Sequence, residues 1–315
     1  MRAERLIVTL GLTAVVLAIL LAPSEALAWG PLAHLSFSSQ ALEAIGVVQP
    51  SVRNLLQDFA NEFLYGSLAA DIVVGKNMAR YLYHCHNWRV GFNVFKHAKA
   101  GGEQAFALGF LAHLGADTVA HNYYVPFKTV ASYHKRSTQH AYWELRFDQR
   151  MDRDLSRVAR EVTARAYRNH DAYLETMLYG SSVLPFGVSK QLFRSLLASA
   201  RFGRFHHVSR LALARERNLV LEPDLVVETN TLAVDAIVGL LAEMERSKAA
   251  RADATGARNL RIAQDVRKSL RQQTARRKLP ARDAHEIAGE LRAAFKGAIQ
   301  GKLVLPASLA RLSSA

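Results

Sequence analysis

Residues 108–144 read LGFLAHLGADTVAHNYYVPFKTVASYHKRSTQHAYWE. His113, Asp117 and His121 recur every four residues, a step that in an α-helix places side chains on one face, about 6 Å apart along the axis. Leu108, Phe110, Leu111, Leu114 and Val119 surround them, so this polar stripe rides on a helix that is otherwise apolar. His140 and Glu144 repeat the four-residue step. A lone histidine on an apolar face is ordinarily a satisfied core residue. Five imidazoles and carboxylates aimed from apolar backbones are the donor set of a metal site, because burying several ionisable groups without a cation is costly.

Outward from this stretch, the 315-residue chain is half hydrophobic, with one cysteine, Cys85, and a formal net charge of +14. The composition is that of a globular chain rather than a disordered one. A single cysteine excludes an intrachain disulfide framework. Helical periodicity dominates and strand-like alternation is nearly absent, which predicts an all-α architecture. Helices are expected over Leu35–Ile45, over Val52–Leu64, as a hairpin within Leu184–Phe205, over Thr231–Met244 and from Ala281.

The first 28 residues read as a secretory signal peptide. Arg2 and Arg5 precede an apolar run from Leu6 to Ala22, Pro23 and Ser24 break it, and Ala26-Leu27-Ala28 supplies a small-residue cleavage site. Retention as a membrane anchor is the alternative. Cleavage would expose Trp29-Gly30, with His34 at the sixth mature position, and would place the protein outside the cytoplasm, secreted or periplasmic.

A mature chain that opens Trp-Gly and carries the His113/Asp117 and His140/Glu144 pairs resembles the zinc-dependent phospholipase C and single-strand-specific zinc nuclease superfamily. The resemblance spans about Trp29 to Leu145 and implies a multi-helix bundle with three zinc ions and phosphodiesterase activity. It implies ligands at Trp29 (through its terminal amine and carbonyl), His34, Asp71 in GSLAADI, His86 in YLYHCHNW, His113, Asp117, His121, His140 and Glu144. His84 is the alternative to His86, and His134 to His121, because relatives usually place the next histidine six residues after the aspartate, where this chain has Tyr123. Trp29 and His34 would serve one ion, Asp71, His86 and His113 a second, and His121, His140 and Glu144 a third, with Asp117 bridging two. Asp71 is also a candidate general base. Cys85 reads as buried packing.

Glu144, where the nucleases tend to carry aspartate, favours a phospholipid substrate. A nuclease stays open, with Tyr123, Tyr124 and Trp143 available for base stacking, as does a non-catalytic envelope-binding relative. The domain division expected is 1–28, 29–180 and a basic helical region 181–315. Residues 246–282 hold 12 Lys/Arg against two acids, which favours an anionic membrane surface. They lack the interleaved aromatics of a nucleic-acid-binding motif. No protein partner is inferred.

Overall fold

A computed structural model of the chain describes residues 29–72, 85–135, 140–152, 154–165, 167–178, 186–201 and 221–312. The signal segment and His84 lie outside the described residues. Thirteen α-helices and no strand are present among those described: α1 (Pro31–Glu43), α2 (Pro50–Asp58), α3 (Ala60–Ala69), α4 (Trp88–His97), α5 (Gly102–Val119), α6 (Val125–Ala131), α7 (His140–Asp148), α8 (Leu155–Ala164), α9 (Arg168–Met177), α10 (Phe186–Arg201), α11 (Pro223–Glu243), α12 (Ala257–Ala275) and α13 (Ala281–Ala298).

The fold is built on α5. Every residue from Ala105 to Val119 is buried, as its sequence requires, since a helix apolar around its whole circumference must be covered on all sides. α3, α4 and α11 pack against it, and α1 lies across α3 and α11. Contact with α3 is backbone to backbone: a side chain at Gly66 would overlap the Phe106 carbonyl, and one at Gly109 the Phe63 carbonyl. α6 follows α5 through a π-helical turn, Ala120–Tyr124, and is covered by α12 and α13.

Two helix expectations change. The segment 52–64 is not one helix: the chain bends at Phe59 (φ −125°, ψ 40°), which ends α2 and starts α3. Of the hairpin expected within 184–205, the described residues Phe186–Arg201 form one helix, α10, with Gly187 in its first turn. α11 extends the amphipathic segment predicted at 231–244 backwards to Pro223. The segment Pro223–Arg246 is long and apolar enough to cross a membrane. Thr229, Ala233, Ile237 and Leu240 on one face are buried, and Asn230 donates to Gln40 Oε1 of α1 at 2.7 Å, so the helix packs by that face against the rest of the fold.

Candidate metal centre

Five segments converge beside α5. α1 contributes His34, the turn after α3 contributes Asp71, and the turn before α4 contributes His86. α5 itself supplies His113 and Asp117, and the π turn with α7 supplies His121, His140 and Glu144. His86 is held by the turn it ends, where Asn87 caps α4 by accepting from the Arg89 amide at 2.8 Å.

Asp117 is the hub. Its Oδ1 lies 3.3 Å from His34 Nε2, and its Oδ2 lies 2.8 Å from His86 Nδ1 and 3.3 Å from His113 Nε2. Asp71 faces the same three rings, 4.0 Å from His34, 3.6 Å from His86 and 3.9 Å from His113. The His34 and His113 rings stack at 3.7 Å. Donor atoms of His34, Asp71 and His113 lie within 4.8 Å of one another, as do those of His86, His113 and Asp117. This geometry brings His34 together with Asp71 and His113, where the resemblance implies His34 on one ion and Asp71, His86 and His113 on its bridged partner. His121, His140 and Glu144 form a separate trio: Glu144 Oε1 is 2.6 Å from His140 Nε2 and 3.4 Å from His121 Nε2.

The donor set fits a metal. Both oxygens of Asp117, both ring nitrogens of His34, Nε2 of His121 and Oε2 of Glu144 are buried without an aligned hydrogen bond. Polar atoms in that condition destabilise a fold unless a cation joins them. Burial pushes the Glu144 carboxyl up to about 8 against the opposing hydrogen bond of His121, and burial with the nearby His113 lowers His34. Burial also opposes the Asp117 carboxylate, but the charges of His113 and His86 and the close approach of the His113 and His34 rings outweigh it and hold its pKa well down. Imidazole nitrogens and carboxylate oxygens brought together in this way are the donors that a zinc ion coordinates. Backbone carbonyls accept from the far nitrogens: Ser67 from His113 Nδ1 at 2.8 Å, and Ala254 from His121 Nδ1 at 2.7 Å. This outer support orients ligating rings.

Residues 33–180 match the family model described as zinc dependent phospholipase C. The chain carries a zinc-dependent phospholipase C domain. No curated protein and no solved structure matches it. The match covers every metal-site residue expected except Trp29, four positions before it begins. Residues 33–180 are therefore a zinc-dependent hydrolase domain of the phospholipase C type, all-α where described.

Trp29 is fully buried. Its indole N–H donates to the Ala116 carbonyl at 3.0 Å, one residue before Asp117, and its ring packs on Phe147, Tyr124 and Phe37. His134 is exposed at the end of α6, outside both groups, so it does not replace His121. Cys85 is buried, with its Sγ 3.6 Å from the Ala70 carbonyl, as packing requires. Tyr123, Tyr124 and Trp143 do not furnish a base-stacking surface. All three are fully buried, with Tyr123 donating to Glu228 Oε2 at 2.6 Å and Tyr124 to the Trp143 carbonyl at 3.0 Å.

Asp148 was not singled out from the sequence. It accepts from the Ala33 amide at 2.8 Å and so caps α1, whose own N-cap, Gly30, has no side chain to do so. Burial raises it to about 7, against the opposing amides of Ala33 and Leu32. A signal was present, since Asp148 continues the His140, Glu144 step by four more residues. The Ala254 carbonyl had no such signal, because a main-chain acceptor can come from any residue type.

Proposed function

We propose that the protein is an extracytoplasmic phosphodiesterase that hydrolyses phospholipids at a site of three zinc ions. The observation that supports it most is the convergence of eight imidazole and carboxylate side chains, from six segments including α5 itself, into two adjoining groups. Zinc bound there supplies an activated water and neutralises charge on the phosphoryl oxygens. Asp117 faces three imidazoles with its two oxygens, which supports it as the residue that would be shared between two ions. Asp71 is the most exposed carboxylate of the set, at 10 %, so it is the one a substrate-side water reaches, and we assign it the general-base role beside its role as ligand. His121, His140 and Glu144 hold the third ion. The buried indole of Trp29 keeps the start of α1 next to Ala116, which supports a terminal amine, freed by cleavage after Ala28, as a further ligand. That cleavage is why the protein is assigned to the outside of the cytoplasm.

Phospholipid is favoured over nucleic acid because the aromatic residues that would stack bases are committed to the core. The outward face of α12 carries Arg258, Arg261, Lys268 and Arg271, all exposed, and supports an anionic membrane surface as the partner. Hydrolysis of phosphatidylcholine vesicles against single-stranded DNA by the zinc-loaded mature protein tests the assignment. Faster cleavage of DNA would replace phospholipase with nuclease.

A further inference from the structure

His121 sits four residues after Asp117. A continuous α-helix would stack it over Asp117, one turn along the same face. The chain instead leaves α-geometry at Ala120: the Val125 amide bonds the Ala120 carbonyl, the five-residue loop of a π turn. His121 thereby joins His140 and Glu144. Something must hold this wider turn in place, and the contacts that do so come from the far end of the sequence, beyond the family match.

Residues 252–259 lie across the back of the π turn. The Ala254 carbonyl is 2.7 Å from His121 Nδ1. Asn122 Nδ2 donates to the Thr118 carbonyl at 2.9 Å and the Asp253 carbonyl at 2.8 Å, and Asn259 Nδ2 donates to Asn122 Oδ1 at 2.6 Å. Gly256 has φ +55°, and a Cβ there would overlap the His121 main chain, so the loop approaches as closely as glycine permits. The segment is braced internally, since Asp253 accepts from the Thr255 amide at 3.0 Å and its hydroxyl at 2.7 Å. It reaches the other group of ligands as well: Trp88, two residues after His86, donates to the Ala252 carbonyl at 2.7 Å.

We propose that residues 252–259 are a positioning element for the third zinc ion: the Ala254 carbonyl holds the His121 proton on Nδ1, leaving the Nε2 lone pair facing Glu144 and His140. A carbonyl oxygen has no proton to give, so the nitrogen bonded to it must carry one, and the other nitrogen is the free donor to a metal. The C-terminal region is then part of the hydrolytic centre, apart from any contact its basic face makes with lipid. This inference rests on the zinc reading of the preceding section.

Two measurements on the full mature protein test it. Side-chain nitrogen NMR of the zinc-stripped wild type reads the tautomer directly, and the Nδ1–H form is expected at His121. Zinc counting by mass spectrometry then compares wild type with Gly256→Ala and the milder Asn259→Ala. Each variant is expected to lose about one ion of the wild-type complement, or to bind it roughly 10–100-fold more weakly in chelator competition, the usual effect of removing outer support for a ligand. Circular dichroism confirms that the variants stay folded, and if one does not, the wild-type tautomer decides alone. An Nε2–H tautomer, or folded variants with the full zinc complement at unchanged affinity, would overturn the proposal and leave the zinc reading standing. A wild type that binds no zinc would overturn both.

Discussion

Gly30 and Asp148 occupy one another's space: a Cβ on Gly30 would overlap the Asp148 carboxyl, while that carboxyl caps α1 through the Ala33 amide. The glycine of the Trp-Gly start is thus required by a side chain more than a hundred residues away. Gly30→Ala is expected to push Asp148 off the cap and to tilt Trp29 and His34 away from Asp117. Overpacking of this kind costs about 1–3 kcal/mol, read as a lowered melting temperature, with loss of zinc from the His34 side. An unchanged melt and zinc count would show that the cap yields without disturbing the site.

Asp117→Ala is expected to remove more than one zinc ion, because its two oxygens face His34, His86 and His113 together. Glu144→Ala, in the separate trio, is expected to remove only one. Equal losses from the two variants, measured by mass spectrometry, would show that Asp117 does not bridge.

A single residue retained ahead of Trp29 converts its amine to an amide, whose delocalised lone pair donates poorly to zinc. The indole contacts with Ala116 and Phe147 leave the fold intact, so part of the metal is retained. Turnover is expected to fall steeply, since charge stabilisation by one metal is worth several kcal/mol. Equal zinc and equal rates with and without the extra residue would remove Trp29 from the ligand set.

Glu228 carries the pH dependence that is easiest to isolate from the metal. Burial opposes its charge, but hydrogen bonds from Lys296, Tyr123 and Arg292 prevail and lower it from 4.5 to about 2. A carboxyl with a depressed pKa stabilises the fold fully above its unfolded value and ceases to do so as pH falls through the folded one. Glu228→Gln is therefore expected to be less stable than wild type at pH 7, with the difference closing between pH 4.5 and 2. Because Arg292 and Lys296 are partly exposed, screening reduces the effect to about 1–2 kcal/mol. A difference that persists at pH 2 would trace the loss to packing instead of charge.

Reversal of Arg258, Arg261, Lys268 and Arg271 to glutamate is expected to weaken binding to vesicles containing anionic lipid at least tenfold, most strongly at low salt. Hydrolysis of a soluble short-chain phospholipid should change little, because these side chains point outward from α12. Unaltered vesicle sedimentation in the charge-reversed protein would mean that this face is merely solvated.

Much of the centre is legible in the sequence because it obeys the period of one helix. His113 with Asp117, and His140 with Glu144, are neighbours whatever the rest of the chain does. α5 declares itself the central helix by being apolar on every side but the His113 and Asp117 stripe. Relations between helices have no such local rule. His34 joins Asp71 and His113 because α1 lies on α3, and α3 meets α5 without intervening side chains at Gly66 and Gly109. His121 leaves its helical register through a π turn backed by main-chain atoms of residues 252–259, and a carbonyl leaves no mark in a pattern of residue types. Tyr123, Tyr124 and Trp143 are equally suited by composition to a surface pocket or to a core. Only the packing of the π turn and α6 against α13, and of the Tyr124 ring on Trp29, decided for the core, because burying those rings removes more apolar area from water than any exposed arrangement.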